Sequence, residues 1–236
     1  MTVSISVPPH RSTISVDNFK QYLTSVDRVL SGFDSGQNQQ HYFEFSQLQQ
    51  TLIDLEVARI RHSAISQGVW DFYPTCQHII QKMLTFAQVL PHHRVLEPSA
   101  GAGDLAVAIA DYGVNKIDCF EIHPLLRQAL KLQNFKVLGS DFLIHAPEPI
   151  YDRIIANPPF GSNGVANHTI HAFQFLKPGG RLVSLAHHYQ LQPSKCDRAF
   201  FDWLSQHHAR FLNLGAAFKN SDRPTNIPLQ LIVIDK

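Results

Sequence analysis

Cysteine is scarce in this chain, three residues in 236: Cys76, Cys119 and Cys196. They are far apart and odd in number, and no CxxC pair occurs. Neither a disulfide framework nor a thiolate zinc site is expected from such a set. An excess of charge is also missing: 20 Lys and Arg stand against 19 Asp and Glu, a formal net charge of +1. A strong binder of free DNA usually carries a basic patch, and the totals contain none, although near-neutrality neither demands nor excludes nucleic acid. No apolar run approaches the length of a membrane span. The opening residues are polar and Ser/Pro-containing, without the apolar stretch of a signal peptide. These absences point to a reducing, cytoplasmic setting and away from membranes. The hydrophobic share is an ordinary 44%, enough for one α/β domain with an appendage.

The chain divides by texture into an N-terminal helical extension, residues 1–69, and a larger domain, 70–236. Residues 1–14 read as a loose leader. A helix is expected after Ser15, with Phe19, Tyr22, Val26 and Val29 on one face. Gly32–Gln40 reads as a linker, and a second helix is expected from Phe45 to Gln67, with Phe45, Leu48, Leu52 and Leu55 as its stripe. The texture changes at Asp71-Phe72-Tyr73-Pro74-Thr75. A helix follows, carrying Ile79, Ile80, Met83, Leu84 and Ala87. From Arg94 onward strands and helices alternate: strands at Arg94–Glu97, Lys116–Glu121, Val137–Leu138, Tyr151–Ala156, Arg181–Ala186, Ala209–Leu214 and Pro228–Asp235, helices at Asp104–Tyr112, Pro124–Gln133, His168–Leu176 and Arg198–His208. This order implies an α/β fold, a doubly wound, mostly parallel sheet of seven strands.

Glu97-Pro98-Ser99-Ala100-Gly101-Ala102-Gly103-Asp104 follows a strand and opens a helix. Its glycines remove side chains where a ligand must approach the backbone, and the helix start beyond offers unpaired N–H groups. Such a loop can seat a nucleotide-like cofactor. Gly101-x-Gly103-x-x-Ala106, with Glu121 at the distance of a ribose-binding acid, also satisfies the dinucleotide fingerprint, so NAD or FAD is a rival. A tight turn without ligand is the bland alternative. Glu121, at a strand end, can accept both ribose hydroxyls of an adenosyl group. Asp141 can accept from an adenine amino group while Phe142 contacts the ring. Either acid can also be a solvated strand terminus.

Asn157-Pro158-Pro159-Phe160 ends the strand Tyr151–Ala156. Two prolines remove two N–H donors. What is left points acceptors outward, the Asn157 side-chain oxygen and the Pro158 carbonyl, beside the flat face of Phe160. That set suits a planar substrate bearing an NH₂ group. Two acceptors hold its hydrogens and draw the nitrogen lone pair out of conjugation, so that it can attack an electrophilic methyl group in line. A rigid Pro-Pro turn is the alternative without chemistry.

With EPSAGAGDL, FEIHP, GSDF and NPPFG in this order, the chain resembles the class I, Rossmann-like methyltransferases that modify exocyclic amines, above all the N6-adenine methyltransferases of DNA and RNA. The resemblance covers residues 70–236. It implies S-adenosylmethionine held by Thr75, Glu97, Gly101, Gly103, Glu121, Asp141 and Phe142, with Tyr73, Ser99, Ala100, Asp104, Ile122 and Asn157 completing the cofactor contacts. It implies Asn157, Pro158, Pro159 and Phe160 at the target amine, and an antiparallel hairpin from the last two strands. His187, His188 and Tyr189 follow a strand end beside this site and are expected to touch substrate with Phe160. The chain departs from the family pattern at Cys76, where a second proline is common. It also has no obvious target-recognition domain. DNA, RNA, a protein glutamine or a small molecule therefore stay open as substrates, and a partner could supply specificity.

The chain has fourteen histidines, yet adjacent pairs such as His92-His93, His187-His188 and His207-His208 point to opposite faces of a strand, and no cluster has zinc spacing. No metal is expected. An NAD-dependent oxidoreductase would explain the glycine loop and Glu121 but leave Asn157–Phe160 without a task, and an idle cofactor-binding module would have no use for Asn157.

Overall fold

The computed structural model describes residues 39–69, 71–161, 163–187 and 198–236, without the side chains of 39–45. The expected helix after Ser15, and His188, Tyr189 and Cys196, lie outside the described residues. The chain clusters into two units, Met1–Ile53 and Asp54–Lys236. In the first, the described part is the beginning of helix α1 (Gln39–Ser66). That helix starts inside the stretch read as a linker. Gln39 and Gln40 are fair helix formers, and no Gly or Pro follows them to break the turn.

The larger unit is built on a seven-stranded sheet: β1 (Arg94–Glu97), β2 (Lys116–Phe120), β3 (Lys136–Gly139), β4 (Tyr151–Ala156), β5 (Leu176–His187), β6 (Arg210–Gly215) and β7 (Leu229–Asp235). The order is β3-β2-β1-β4-β5-β7-β6. The first five strands are parallel, and β7 runs antiparallel to both β5 and β6. This is the expected doubly wound sheet with its antiparallel C-terminal hairpin. The helices are α2 (Gln77–Ala87), α3 (Asp104–Asp111), α4 (Pro124–Leu132), α5 (Gly164–Phe175) and α6 (Arg198–Gln206).

Apolar spacing explains which faces pack. Ile79, Ile80, Met83, Leu84 and Ala87 are the buried stripe of α2, at helical intervals. In α4, Pro124 occupies the first turn, where its missing N–H has no intrahelical partner to lose, and Leu126, Ala129, Leu130 and Leu132 face inward. The carboxyl halves of the inner strands β4 and β5, residues 154–156 and 182–187, are continuously buried because helices cover both faces. Helix α5 begins at Gly164, four residues before the expected start. Glycine is a poor helix former and hides the boundary; its own packing, described below, is why it is there.

Strand order reverses direction between β1 and β4. Chain leaving these two neighbours at their carboxyl ends diverges, opening a crevice where α/β sheets bind their ligands. Glu97 ends β1 and Asn157 follows β4 directly, so the two sequence motifs meet there.

Candidate active site

A cavity of about 390 Å³ occupies this crevice. Of the residues expected to hold a cofactor, Tyr73, Thr75, Glu97, Ser99, Ala100, Gly101, Asp104, Glu121, Ile122, Asp141, Phe142 and Asn157 all line it, together with Pro159. Gly103 does not. It caps α3 with φ +99°, and a Cβ there would press on Gln133 and Leu130 of the following helix and turn, at 3.0 and 3.2 Å. Its lack of a side chain serves packing behind the loop. Gly101 is the glycine on the cavity, and the Phe72 ring lies 3.0 Å from where its Cβ would be.

The acids divide the work. Glu121, 7% exposed, accepts the Gly101 N–H at 2.7 Å on Oε2 and the His123 N–H at 2.7 Å on Oε1. Burial raises its pKa against the opposing pull of these two N–H donors. Glu97 is 2% exposed and its Oε2 has no hydrogen-bond partner. Burial first, then the neighbouring Asp104 and Glu121 charges, push its pKa well above the ordinary carboxyl value. Asp104 accepts from Arg61 at 2.6 Å and from the Thr75 N–H at 3.1 Å; burial nonetheless outweighs the Arg61 charge and leaves its pKa raised. Asp141 spends Oδ1 on the Leu143 N–H at 2.9 Å, capping a short 3₁₀ turn, Phe142–Ile144. Phe142 reaches the cavity from a buried aromatic cluster with Phe120 and Phe175.

The Asn157 amide is clamped. Its Nδ2 donates to the Tyr73 carbonyl at 2.9 Å and to the Thr75 hydroxyl at 3.0 Å. A carbonyl cannot donate, so the nitrogen must face it and the orientation of the amide follows. The Asn157 Oδ1 is thereby left on the other side, buried and without a partner. Pro158 is buried, and the Gly161 N–H donates to Asp71 at 3.1 Å, closing the motif. Phe160, 7% exposed, does not stand free as an open platform. It stacks on His187 with ring centres 4.1 Å apart and planes within 11°, and meets the edge of Tyr73 at 6.1 Å. His187 is thus brought to the motif. Burial lowers its pKa despite the Asp71 charge, so it is disposed to the neutral form.

The sequence reading missed Val69, Asp71, Phe72, Pro98, His123, Leu126, Ser140, Leu143 and His168, all on the cavity wall. Asp71 and Phe72 belong to the segment that marks the change of texture, and His123 and Ser140 adjoin Ile122 and Asp141. His168, 42 positions after Leu126 and in mid-helix, carries no local signal. Among the described residues no group of three or more His, Cys, Asp or Glu could hold a metal ion, and no helix is long and apolar enough to cross a membrane.

A test of fit comes from unpaired atoms. Glu97 Oε2, Ser99 Oγ, His123 Nδ1 and Asn157 Oδ1 are all buried without hydrogen-bond partners, and all four residues line this one cavity. Buried polar atoms are normally paired, and leaving one unpaired costs about 1–3 kcal/mol. Their concentration here fits a ligand that carries its own donors and acceptors along its length, with a cation for the carboxylates. Fold and cavity together define an α/β protein for a nucleotide-type cofactor.

Residues 78–208 match the methyltransferase small domain family, and the chain belongs to it. It is a methyltransferase and its cofactor is S-adenosylmethionine; the oxidoreductase reading falls with that match. No curated protein matches the sequence. Among solved structures, a Listeria monocytogenes protein ascribed to the class I S-adenosylmethionine-dependent methyltransferases superposes with TM-score 0.59 at 13% identity, over 76% of this chain and 68% of its own. A modification subunit ascribed to a type I restriction enzyme of Vibrio vulnificus gives TM-score 0.60 at 16% identity, over 90% of this chain and 52% of its own. This chain therefore spans about half of that subunit. A Pyrococcus horikoshii protein ascribed to the RNA methyltransferases gives TM-score 0.51 at 18% identity, over 70% and 86%.

Proposed function

We propose that this methyltransferase acts on an exocyclic amino nitrogen, adenine N6 in DNA or RNA, with residues 70–236 as its catalytic domain and 1–69 as an N-terminal extension. The observation that carries the reading is the Asn157 amide. Both its N–H groups are spent on Tyr73 and Thr75, and its oxygen is buried, unpaired and on the wall of the cofactor cavity. An acceptor held in this way costs no reorganisation when an amine arrives. With the Pro158 carbonyl it would take the two amine hydrogens, leaving the nitrogen lone pair free to attack the methyl group. The cofactor, when bound, supplies an electrophilic methyl on a sulfonium. Glu97 would pair with its cationic end and Glu121 would accept its ribose hydroxyls, exchanging the Gly101 N–H for them. Phe160 and His187, stacked on one another, are the candidate aromatic wall for the base. No covalent enzyme intermediate is needed, and the methylated amine loses its surplus proton after transfer. That the neighbours include a protein ascribed to the modification subunits of type I restriction enzymes and one ascribed to the RNA methyltransferases agrees with a nucleic-acid substrate. A separate specificity partner and a cytoplasmic setting belong to the same proposal.

The test is transfer from radiolabelled S-adenosylmethionine to duplex DNA, single-stranded DNA, total RNA and a protein extract in parallel. Label recovered as N6-methyladenosine or its deoxy form is the expected result. Label confined to protein would move the substrate to a side-chain amide and overturn the nucleic-acid assignment.

A further inference from the structure

Both acceptors that clamp the Asn157 amide lie on the segment 71–75, which has no regular secondary structure. Without a hydrogen-bonded ladder of its own, such a segment keeps one conformation only if neighbours hold it. Two arginines do so, and both lie outside the family-matched residues 78–208. Arg61, on α1, donates from Nη1 to Asp104 at 2.6 Å and pairs through Nη2 with Asp222 at 3.0 Å. The second Asp104 oxygen accepts the Thr75 N–H, and the Thr75 hydroxyl accepts from Asn157. Arg223 donates from Nη1 to the Val69 and Phe72 carbonyls, at 2.9 and 2.8 Å, and its guanidinium lies 4.4 Å over the Tyr73 ring. The Tyr73 carbonyl is the other acceptor of the Asn157 amide. Charge-assisted contacts of this kind are about twice as strong as neutral ones, and the planar guanidinium fixes direction as well.

We propose that Arg61 and Arg223 are positioning residues for methyl transfer: Arg61 through Asp104 and Thr75, and Arg223 through the 69–73 backbone, set the orientation of the Asn157 amide. The inference rests on the reading of Asn157 as the acceptor for the target amine. It makes turnover depend on two segments beyond the matched core, the end of α1 and the loop ahead of β7.

Arg61→Met and Arg223→Met keep the apolar stem and remove the fork. The Asn157 side-chain NH₂ signal, assigned by its loss in Asn157→Ala, reports the clamp in an ¹⁵N-edited NMR spectrum without any turnover. The expected result is a displaced or broadened NH₂ signal in both variants. With it comes a kcat about 10- to 100-fold lower, while the Kd for S-adenosylhomocysteine changes far less. Arg61→Met added to Asn157→Ala should cost no further activity, because the group it positions is gone. Arg61→Lys, which keeps the charge without the fork, should recover part of kcat. Should Arg61→Met fail to fold, Thr75→Val, which deletes one acceptor of the clamp, and Arg223→Met carry the test. An unmoved NH₂ signal in folded variants, or losses that multiply fully with Asn157→Ala, would overturn the proposal. A wild-type chain that methylates no nucleic-acid pool overturns the functional reading instead, and the amide spectrum then decides the positioning claim by itself.

Discussion

Asn157 and Glu97 are opposite kinds of unpaired group. The first is an acceptor fixed from behind by two hydrogen bonds, and removing it should leave the cavity standing. Asn157→Ala is expected to lower kcat about 10²–10³-fold, the scale of deleting one preorganised hydrogen-bonding group, with S-adenosylhomocysteine affinity largely retained by calorimetry. Glu97 is a carboxyl whose pKa is raised well above its ordinary value by burial and by the adjacent acids. A raised pKa favours the folded state below the unfolded value, and that contribution is lost as pH rises through the raised one. The ligand-free protein should therefore lose stability across that window, and Glu97→Gln should flatten the decline in melting temperature. Binding a cationic cofactor there in the same window should release a proton, read as a buffer-dependent binding enthalpy, and Glu97→Gln should abolish that dependence. A binding enthalpy independent of buffer in the wild type would show that Glu97 does not pair with the cation.

At the scale of elements, the turn after β4 and the start of α5 form one piece. A Cβ at Gly164 would run into the Pro159 carbonyl oxygen, with the Pro159 carbonyl carbon at 3.0 Å. Both obstacles include backbone, which cannot swing aside as a side chain would. Gly164→Ala is expected to cost about 1–3 kcal/mol in denaturant unfolding and to lower kcat by displacing the Asn157–Phe160 turn. Normal turnover would mean that the turn tolerates the shift. The sequence made the turn visible through its two prolines but not this support, since glycine reads there only as a weak helix position. In the same way the glycine loop was legible as a loop, yet the separate tasks of its glycines were not. Gly101 faces the cavity under Phe72, whereas Gly103 makes room for Gln133 and Leu130. Those neighbours are about 30 residues further along the chain, and no local pattern announces them.

At the scale of the whole catalytic unit, β7 joins the parallel sheet to its last strand. It pairs with β5 from Arg181↔Asp235 to His187↔Leu229 and with β6 on its other edge. Leu229 and Leu231 through Ile234 are at most 2% exposed. Ending the chain at residue 228 should leave the facing edges of β5 and β6 without partners, the first of them buried, and abolish the cooperative unfolding transition in near-ultraviolet circular dichroism. A native-like transition would make β7 dispensable. Its register also places His187 at the end of β5 beside Phe160, so the loss should be felt in the site as well as in the core.

The sequence by itself determined the class of fold, the glycine loop and the Asn157–Phe160 turn. Each of these is carried by a local signal: strand and helix periodicities, glycines between a strand end and a helix start, prolines that delete N–H donors. Only the tertiary structure decided which way the Asn157 amide points, that Phe160 leans on His187, that His168 joins the cavity wall, and that Arg61 and Arg223 hold the 69–75 strip. These depend on contacts between residues 82 to 154 positions apart for the amide and Arg223. Hydrogen-bond direction and steric fit are properties of the partner as much as of the residue. A single chain position cannot state them until the fold has brought that partner within about 3 Å.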